Sequence, residues 1–374
     1  MTESVEVVVV GGGAMGSATA RALALRGREV LLLERFAPGH KNGASHGASR
    51  NFNIAYADPT YVDLLVEALP AWRELERETG SPLLDLVGLV NHGANPGFDD
   101  VHAALGRAGF ESEFLDPAEA SRRWPGIRFD TRVLFTPQGG RVNADAAVSA
   151  LQSSAASHGA TVLHNARVVE LAVRGVDEVL VRYETETGSH EVLARTAVVT
   201  AGAWTQKLLG PAVAHPRLVV TQEQPAHFAV RDEGIAWPSF NHSPTPGDAD
   251  YDYWYSPIYG MLTPGEGVKA GWHGVGPVVD PDARDFLPEA VQLEALRRYA
   301  REWLPGVDPD AFAAISCTYT TSPDSNFVLD RVGPIVIGAG FSGHGFKFTP
   351  AIGRVLADLV ETPGSAPKLF SLAR

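Results

Sequence analysis

Three hydrophobic patterns recur along the chain. The first is a short β-branched or aliphatic run that stops at a glycine. Residues 5–10 (VEVVVV) end at Gly11-Gly12-Gly13, residues 196–200 end at Ala201-Gly202-Ala203, and residues 334–339 run into Gly340. Such runs predict buried strands of a parallel sheet. The second pattern has helical spacing. It covers 17–26, closed by Gly27, then 61–77, 144–158, 288–302 and 350–360. In 61–77, Tyr61, Leu64, Leu65, Ala68, Leu69, Trp72 and Leu75 share a stripe with charges between them, which makes Trp72 a core residue. The third pattern consists of short strand-like runs: 84–94, 131–142, 160–163, 168–173, 179–183 and aromatic-rich pieces within 218–275.

Three strand-plus-glycine units at the start, middle and end imply a discontinuous nucleotide-binding domain with a sheet-rich domain inserted into it. The first unit carries G-x-G-x-x-G (Gly11, Gly13, Gly16), with Ala14 and Met15 between the last two glycines. A helix follows, then a strand over 29–33 and an acid, Glu34, 18 residues after Gly16. Gly11 permits the tight turn, Gly13 lets a pyrophosphate approach the backbone, and Gly16 lets helix and strand pack closely. The helix N-terminus supplies amide donors to the phosphates, and Glu34 accepts from a ribose hydroxyl. The motif predicts a bound dinucleotide and leaves NAD and FAD both open.

The length of 374 residues suits two or three domains. Apolar residues make up 45% and charged residues 20%, as in soluble globular proteins. A net charge of −13 with no basic stripe argues against nucleic acid as a partner. No run reaches the roughly 18 apolar residues of a membrane span, and no signal-peptide pattern opens the chain. A cytoplasmic protein without a membrane partner is therefore expected. Cys317 is the single cysteine, so an intramolecular disulfide is impossible. Asp248, Asp250 and Asp252 lack the glycine and distal glutamate of a calcium loop. The polar loop 35–50 is long enough to be functional.

Several blocks are far more specific than the glycine motif. They are Glu34-Arg35-Phe36 with Pro38-Gly39-His40, Ser45-His46-Gly47 with Arg50, and Cys317-Thr318-Tyr319-Thr320 with Pro323-Asp324, Phe327 and Asp330. The last is Gly340-Phe341-Ser342-Gly343-His344-Gly345-Phe346-Lys347. In these blocks, and over nearly its whole length, the sequence resembles the monomeric sarcosine oxidase and N-methyltryptophan oxidase family. These are FAD-dependent amine oxidases of the D-amino-acid oxidase clan. The resemblance implies an α/β fold with a discontinuous Rossmann-like FAD-binding domain (1–86, 142–217 and 318–374). An antiparallel-sheet substrate domain (87–141 and 218–317) is inserted in it. It also implies oxidation of a secondary amine or N-substituted amino acid, N-methyl or cyclic, to an imine. Dioxygen is then reduced to hydrogen peroxide, and the enzyme is a monomer. A fructosyl-amino-acid oxidase, an amine dehydrogenase with another electron acceptor and a silent FAD-binding module are the alternatives.

Residue roles follow from the same resemblance. FAD attaches through a thioether at Cys317. Lys269 sits over the flavin and activates oxygen. Arg50 and His46 line the flavin ring as cations, His273 and Tyr255 belong to the active site, and Tyr259 is a possible substitute for Tyr255. Lys347 binds the substrate carboxylate. The family's second carboxylate ligand, an arginine, is replaced here by Asn53, which makes sarcosine itself doubtful as substrate. Further cofactor contacts are expected from Arg35, Ser45, Val168, Gly202, Gly343, Gly345 and Phe346. Trp254, Trp272, Tyr251 and Tyr253 either wall the substrate or pack in the core.

Overall fold

In the computed structural model, residues 3–210 and 213–374 are described; positions 1–2 and 211–212, inside the segments expected to bind FAD, lie outside the described residues. The described residues form two eight-stranded sheets and two small ones, a mixed α/β architecture. In the first sheet, Glu3–Val10 pairs in parallel with Val30–Leu33 on one side and Gly188–Val199 on the other. Val30–Leu33 continues in parallel to Thr161–Leu163, and Gly188–Val199 to Ile335–Ala339. The three glycine-terminated runs thus lie side by side, Val10 opposite Val199 and Val199 opposite Ile337. Their carboxyl ends open onto one edge, where ligands of open α/β sheets bind.

Val7, Val8 and Val9 are fully buried, because helices cover one face and strands pack against the other. Burial of each such side chain contributes on the order of 1.5–3 kcal/mol. The helices are Ala14–Leu25, Pro59–Thr79, Ala144–Ser157 and Thr349–Glu361. Trp72 is fully buried and donates Nε1–H to the Lys347 carbonyl at 2.9 Å, so the helix Pro59–Thr79 also tethers a cavity residue.

The strand expected over 196–200 begins at Gly188. On one edge its first half pairs antiparallel with Glu178–Thr185, and Ala197 to Val199 then pair in parallel with Ile335–Ala339. Two helices absent from the sequence reading, Phe98–Arg107 and Pro117–Arg123, occupy the segment before 131–142.

The second sheet takes all its strands from 89–136 and 226–314. The helix Ala290–Trp303 packs on one of its faces, where Val268, Ala270 and Trp272 point into a core with Tyr299 and Trp303. Alternation along Gly267–Trp272 turns Lys269 and Gly271 to the other face. That face looks toward the carboxyl edge of the first sheet. Two small sheets flank the space between: Arg50–Phe52 with Gly140–Val142 and Leu84–Asp85, and Val219–Glu223 with Cys317–Thr321.

Candidate active site

A single cavity of about 1070 Å³ runs from the glycine turn of the first sheet to the inner face of the second. At the glycine end, Gly11 adopts φ +99°, a left-handed conformation that disfavours side chains. A Cβ on Gly16 would lie 1.8 Å from the Gly11 carbonyl oxygen. Gly16 does not line the cavity; it lets the helix close on the turn. The Ala14 N–H donates to Ser45 Oγ at 3.0 Å, which folds the loop 35–50 over the helix N-terminus. Glu34 accepts from Gly12 N–H (2.6 Å) and Phe36 N–H (2.9 Å), and its Oε1 lies 3.4 Å from His40 Nε2. Burial favours its neutral form, but the His40 hydrogen bond and the two amides outweigh that and hold its pKa below the usual carboxylate value. Arg35, Val168 and Gly202 border this end as well.

Midway along, Arg50 fixes the loop by donating to the carbonyls of Ser49 (2.9 Å), Ala44 (3.1 Å) and His46. Its Nη2 lies 3.8 Å from Cys317 Sγ. From behind, Arg284 clamps the same region, donating to Asn42 O and Ser316 Oγ, both at 2.8 Å. His46 lines the cavity, but not as a cation. Burial, then the charges of Arg50 and Lys269, lower its pKa to about 3, and its Nε2 has no hydrogen-bond partner among the described residues. Lys269 is 4% exposed and donates only a long bond, 3.5 Å, to Ser49 O. Burial and the neighbouring Arg50 bring its pKa down to about 7.

At the far end stands Lys347, also 4% exposed. It donates to Tyr56 Oη (3.0 Å) and His344 O (2.7 Å), and among the described residues no carboxylate pairs with it. Burial alone lowers its pKa to about 7. Gly343, Gly345 and Phe346 border the cavity here. Gly343 is required by packing, because a Cβ there would lie 2.2 Å from the Tyr319 ring. His273 sits at the mouth, its Nδ1 3.4 Å from Tyr319 Oη. Burial, then the Lys347 charge, lowers its pKa.

Tyr255 is a correction. It lies in the excursion between Ser239–Ser243 and Ile258–Thr263, is 43% exposed, packs edge-on against Trp272 and borders a separate surface recess. Tyr259, on the returning strand, lines the cavity in its place. Trp254 and Trp272 pack in the core beside Tyr299 and wall no part of the cavity. Sequence reasoning gave Tyr319 no role, although alternation along Cys317–Thr321 puts it on the Cys317 face. Tyr56 and Arg284 were also missed. Nothing local marks them, since each acts through distant partners.

The donor set fits FAD. The glycine cradle and Glu34 suit the adenosine and pyrophosphate, and His46, Arg50 and Cys317 line the remaining length. The volume lies at the upper limit for one ligand, about 1,000 Å³. The fold and this site define a dinucleotide-dependent oxidoreductase.

Residues 6–359 match the model of the family described as FAD dependent oxidoreductase, and the chain belongs to that family. The chain is 34% identical to a peroxisomal sarcosine oxidase of Mus musculus (96% of this chain, 92% of the other). It is 32% identical to a monomeric sarcosine oxidase of a Bacillus species (100% and 98%). An N-methyl-L-tryptophan oxidase of Yersinia pestis is 28% identical (99% and 99%). Among solved structures, NikD, an unusual amino acid oxidase essential for nikkomycin biosynthesis, superposes with a TM-score of 0.84 at 28% identity (99% and 98%). An L-proline dehydrogenase of P. horikoshii shares the fold with a TM-score of 0.80 at 22% identity (99% and 96%).

Proposed function

We propose that this chain is an FAD-dependent amine oxidase that converts a secondary amine or N-substituted amino acid to the imine, with dioxygen reduced to hydrogen peroxide. One observation carries the reading: a single cavity joins the glycine cradle, the Cys317 thiol and two buried lysines that lack carboxylate partners among the described residues. The sarcosine and N-methyltryptophan oxidases among its relatives support the substrate class. The strand composition of the two large sheets supports 1–86, 142–217 and 318–374 as the FAD-binding part and the rest as the substrate part.

Bound FAD supplies the two-electron acceptor for the hydrogen on the carbon beside the amine nitrogen. The chain's own residues do the rest. Lys347 holds the substrate carboxylate as a point charge in a desolvated site, where Coulomb attraction is strong. Asn53 turns its Oδ1 to the Ala55 N–H at 2.8 Å, so no guanidinium fork helps at that position. The positive field of Arg50 and Lys269 lowers the pKa of a bound ammonium, so the nitrogen sheds its proton before the carbon is oxidised. His273 is neutral near pH 7 and can take that proton at Nε2, its Nδ1 being held by Tyr319. Lys269, fixed and desolvated, is the cation that assists oxygen reduction.

Cys317 anchors the flavin as a thioether in this proposal. The Arg50 guanidinium lies 3.8 Å from that sulfur. The protein works in the cytoplasm and as a monomer in this proposal, the second point being what the name of its Bacillus relative suggests. On acid precipitation, the yellow colour of the native protein should stay with the pellet. Cys317→Ser should bind FAD but release it to the supernatant. Native protein that gives up its colour to the supernatant contradicts covalent attachment.

A further inference from the structure

Lys269 has three N–H donors and, among the described residues, one hydrogen-bond acceptor in reach, the Ser49 carbonyl at 3.5 Å. The same carbonyl accepts from Arg50 Nη1 at 2.9 Å. Arg50 is held by Ala44 O and His46 O as well, so it keeps its place without Ser49. Lys269 has no such second tether among the described residues. An ammonium on a flexible four-carbon stem goes where its acceptor stands. The placing of Ser49 therefore decides where this cation sits in the cavity.

Two residues that the chemistry above does not use fix Ser49 from behind. Ser49 is buried, and its Oγ is hydrogen-bonded to Oγ1 of Thr263, also buried, at the end of Ile258–Thr263. Thr263 Oγ1 in turn lies 3.1 Å from His227 Nε2. Register brings the imidazole there. His227, on Ala226–Val230, is the direct antiparallel partner of Lys269, so both side chains leave the sheet on the same face. The partner of Thr263 on the middle strand is Gly267, which puts no side chain between Thr263 and His227. Oε2 of the half-exposed Glu266 lies 3.5 Å from the same Nε2. A carboxylate only accepts, so Nε2 carries the imidazole proton and donates it to Thr263, leaving the Thr263 hydroxyl proton for Ser49 Oγ. Burial, then the charges of Lys269 and Arg50, lower the His227 pKa to about 4, so near pH 7 it adds no second cation beside Lys269. Ser49 and Lys269 border the cavity, and Thr263 and His227 stand behind them.

We infer that Thr263 and His227 are positioning residues for oxygen reduction: the line His227–Thr263–Ser49 fixes the Ser49 carbonyl, and through it the place of the Lys269 ammonium. This inference rests on the amine-oxidase reading and its role for Lys269, and deepens both. Removing the Thr263 hydroxyl leaves His227 Nε2–H and Ser49 Oγ buried without their partner, and such groups move to find another. The displacement falls on Lys269 rather than on Arg50, which keeps its other two carbonyls.

In the test, flavin-loaded protein is reduced with dithionite without oxygen and mixed with aerated buffer, and the return of flavin absorbance is followed, so no amine substrate is needed. Thr263→Val, which keeps the shape of the side chain without its hydroxyl, should slow that return roughly ten- to a hundredfold. Thr263→Ser should restore it to near the native rate. Reduction of Thr263→Val by an amine that the native protein oxidises should change little; a general packing defect would slow both halves and escape rescue by serine. Ser49→Ala is the second variant. It should slow reoxidation as Thr263→Val does, and the two together should cost no more than either alone, since both cut one line. Apart from any turnover, nitrogen NMR of the native oxidised protein should show His227, identified by its response to the surface change Glu266→Gln, protonated at Nε2. Protonation at Nδ1 overturns the inference. So does native-like reoxidation in a folded, flavin-loaded Thr263→Val or Ser49→Ala protein, or an additive loss in the double variant; if neither variant folds, the tautomer decides. Native-like reoxidation in Lys269→Met overturns the oxygen role of Lys269 itself, and a flavin that no N-methyl or cyclic amino acid reduces overturns the amine-oxidase reading.

Discussion

Lys347 and Lys269 lie buried in one cavity, and burial brings both to a pKa of about 7, with Arg50 adding to the effect at Lys269. For Lys347 the sign is direct. Below about pH 7 it is a cation that attracts a carboxylate, and above that it is a neutral amine. Binding of propionate, a carboxylate without an amine, should therefore weaken roughly tenfold per pH unit above pH 7. Lys347→Met should flatten that profile and weaken binding by at least roughly tenfold at pH 6. Native-like propionate inhibition in the variant would contradict the carboxylate role. Lys347, Cys317 and Arg50 could be named from their sequence blocks because each sits in a short, distinctive run. Tyr255 could not be told from Tyr259, because the choice depends on where the chain rejoins the sheet at Ile258. His46 was recognised as a cavity residue, but its charge depends on the cations packed round it, which no local pattern reveals.

Among the elements, the glycine-terminated strands are the most legible. A continuous β-branched run, a tight turn and a helix are all local, and close packing at Gly16 follows from the motif alone. Gly16→Ala tests this contact. Its Cβ would press on Gly11 O at 1.8 Å and Thr200 Oγ1 at 2.6 Å, so the variant should be recovered without FAD or fail to fold. A variant that binds FAD as the native protein does would show that the helix is not held there. The second sheet was far less legible. Its central pairing, Leu89–Gly93 beside Ser239–Ser243, joins segments about 150 residues apart. Asn91 and Asn241 meet only in that register. The full length of Gly188–Val199 was hidden for a related reason, since one strand serves an antiparallel and a parallel neighbour in turn.

Taken as one molecule, the chain places glycine turns from its start, middle and end along one sheet edge and sets a second sheet across from them. The cavity between them is lined by the glycine turn and Glu34 at one end, Arg50 and Lys269 midway and Lys347 at the other end. The family match over residues 6–359 and the superposition on NikD show that the fold is shared. Asn53 stands at the position where the resemblance implies an arginine. The most direct test of the central claim is spectroscopic. N-methyl amino acids are added to the flavin-loaded protein without oxygen, the flavin absorbance is followed, and air is then admitted. The account predicts bleaching by at least one of them, then return of the oxidised spectrum with one hydrogen peroxide released per flavin. A bound flavin that stays oxidised with every N-methyl and cyclic amino acid offered would contradict it.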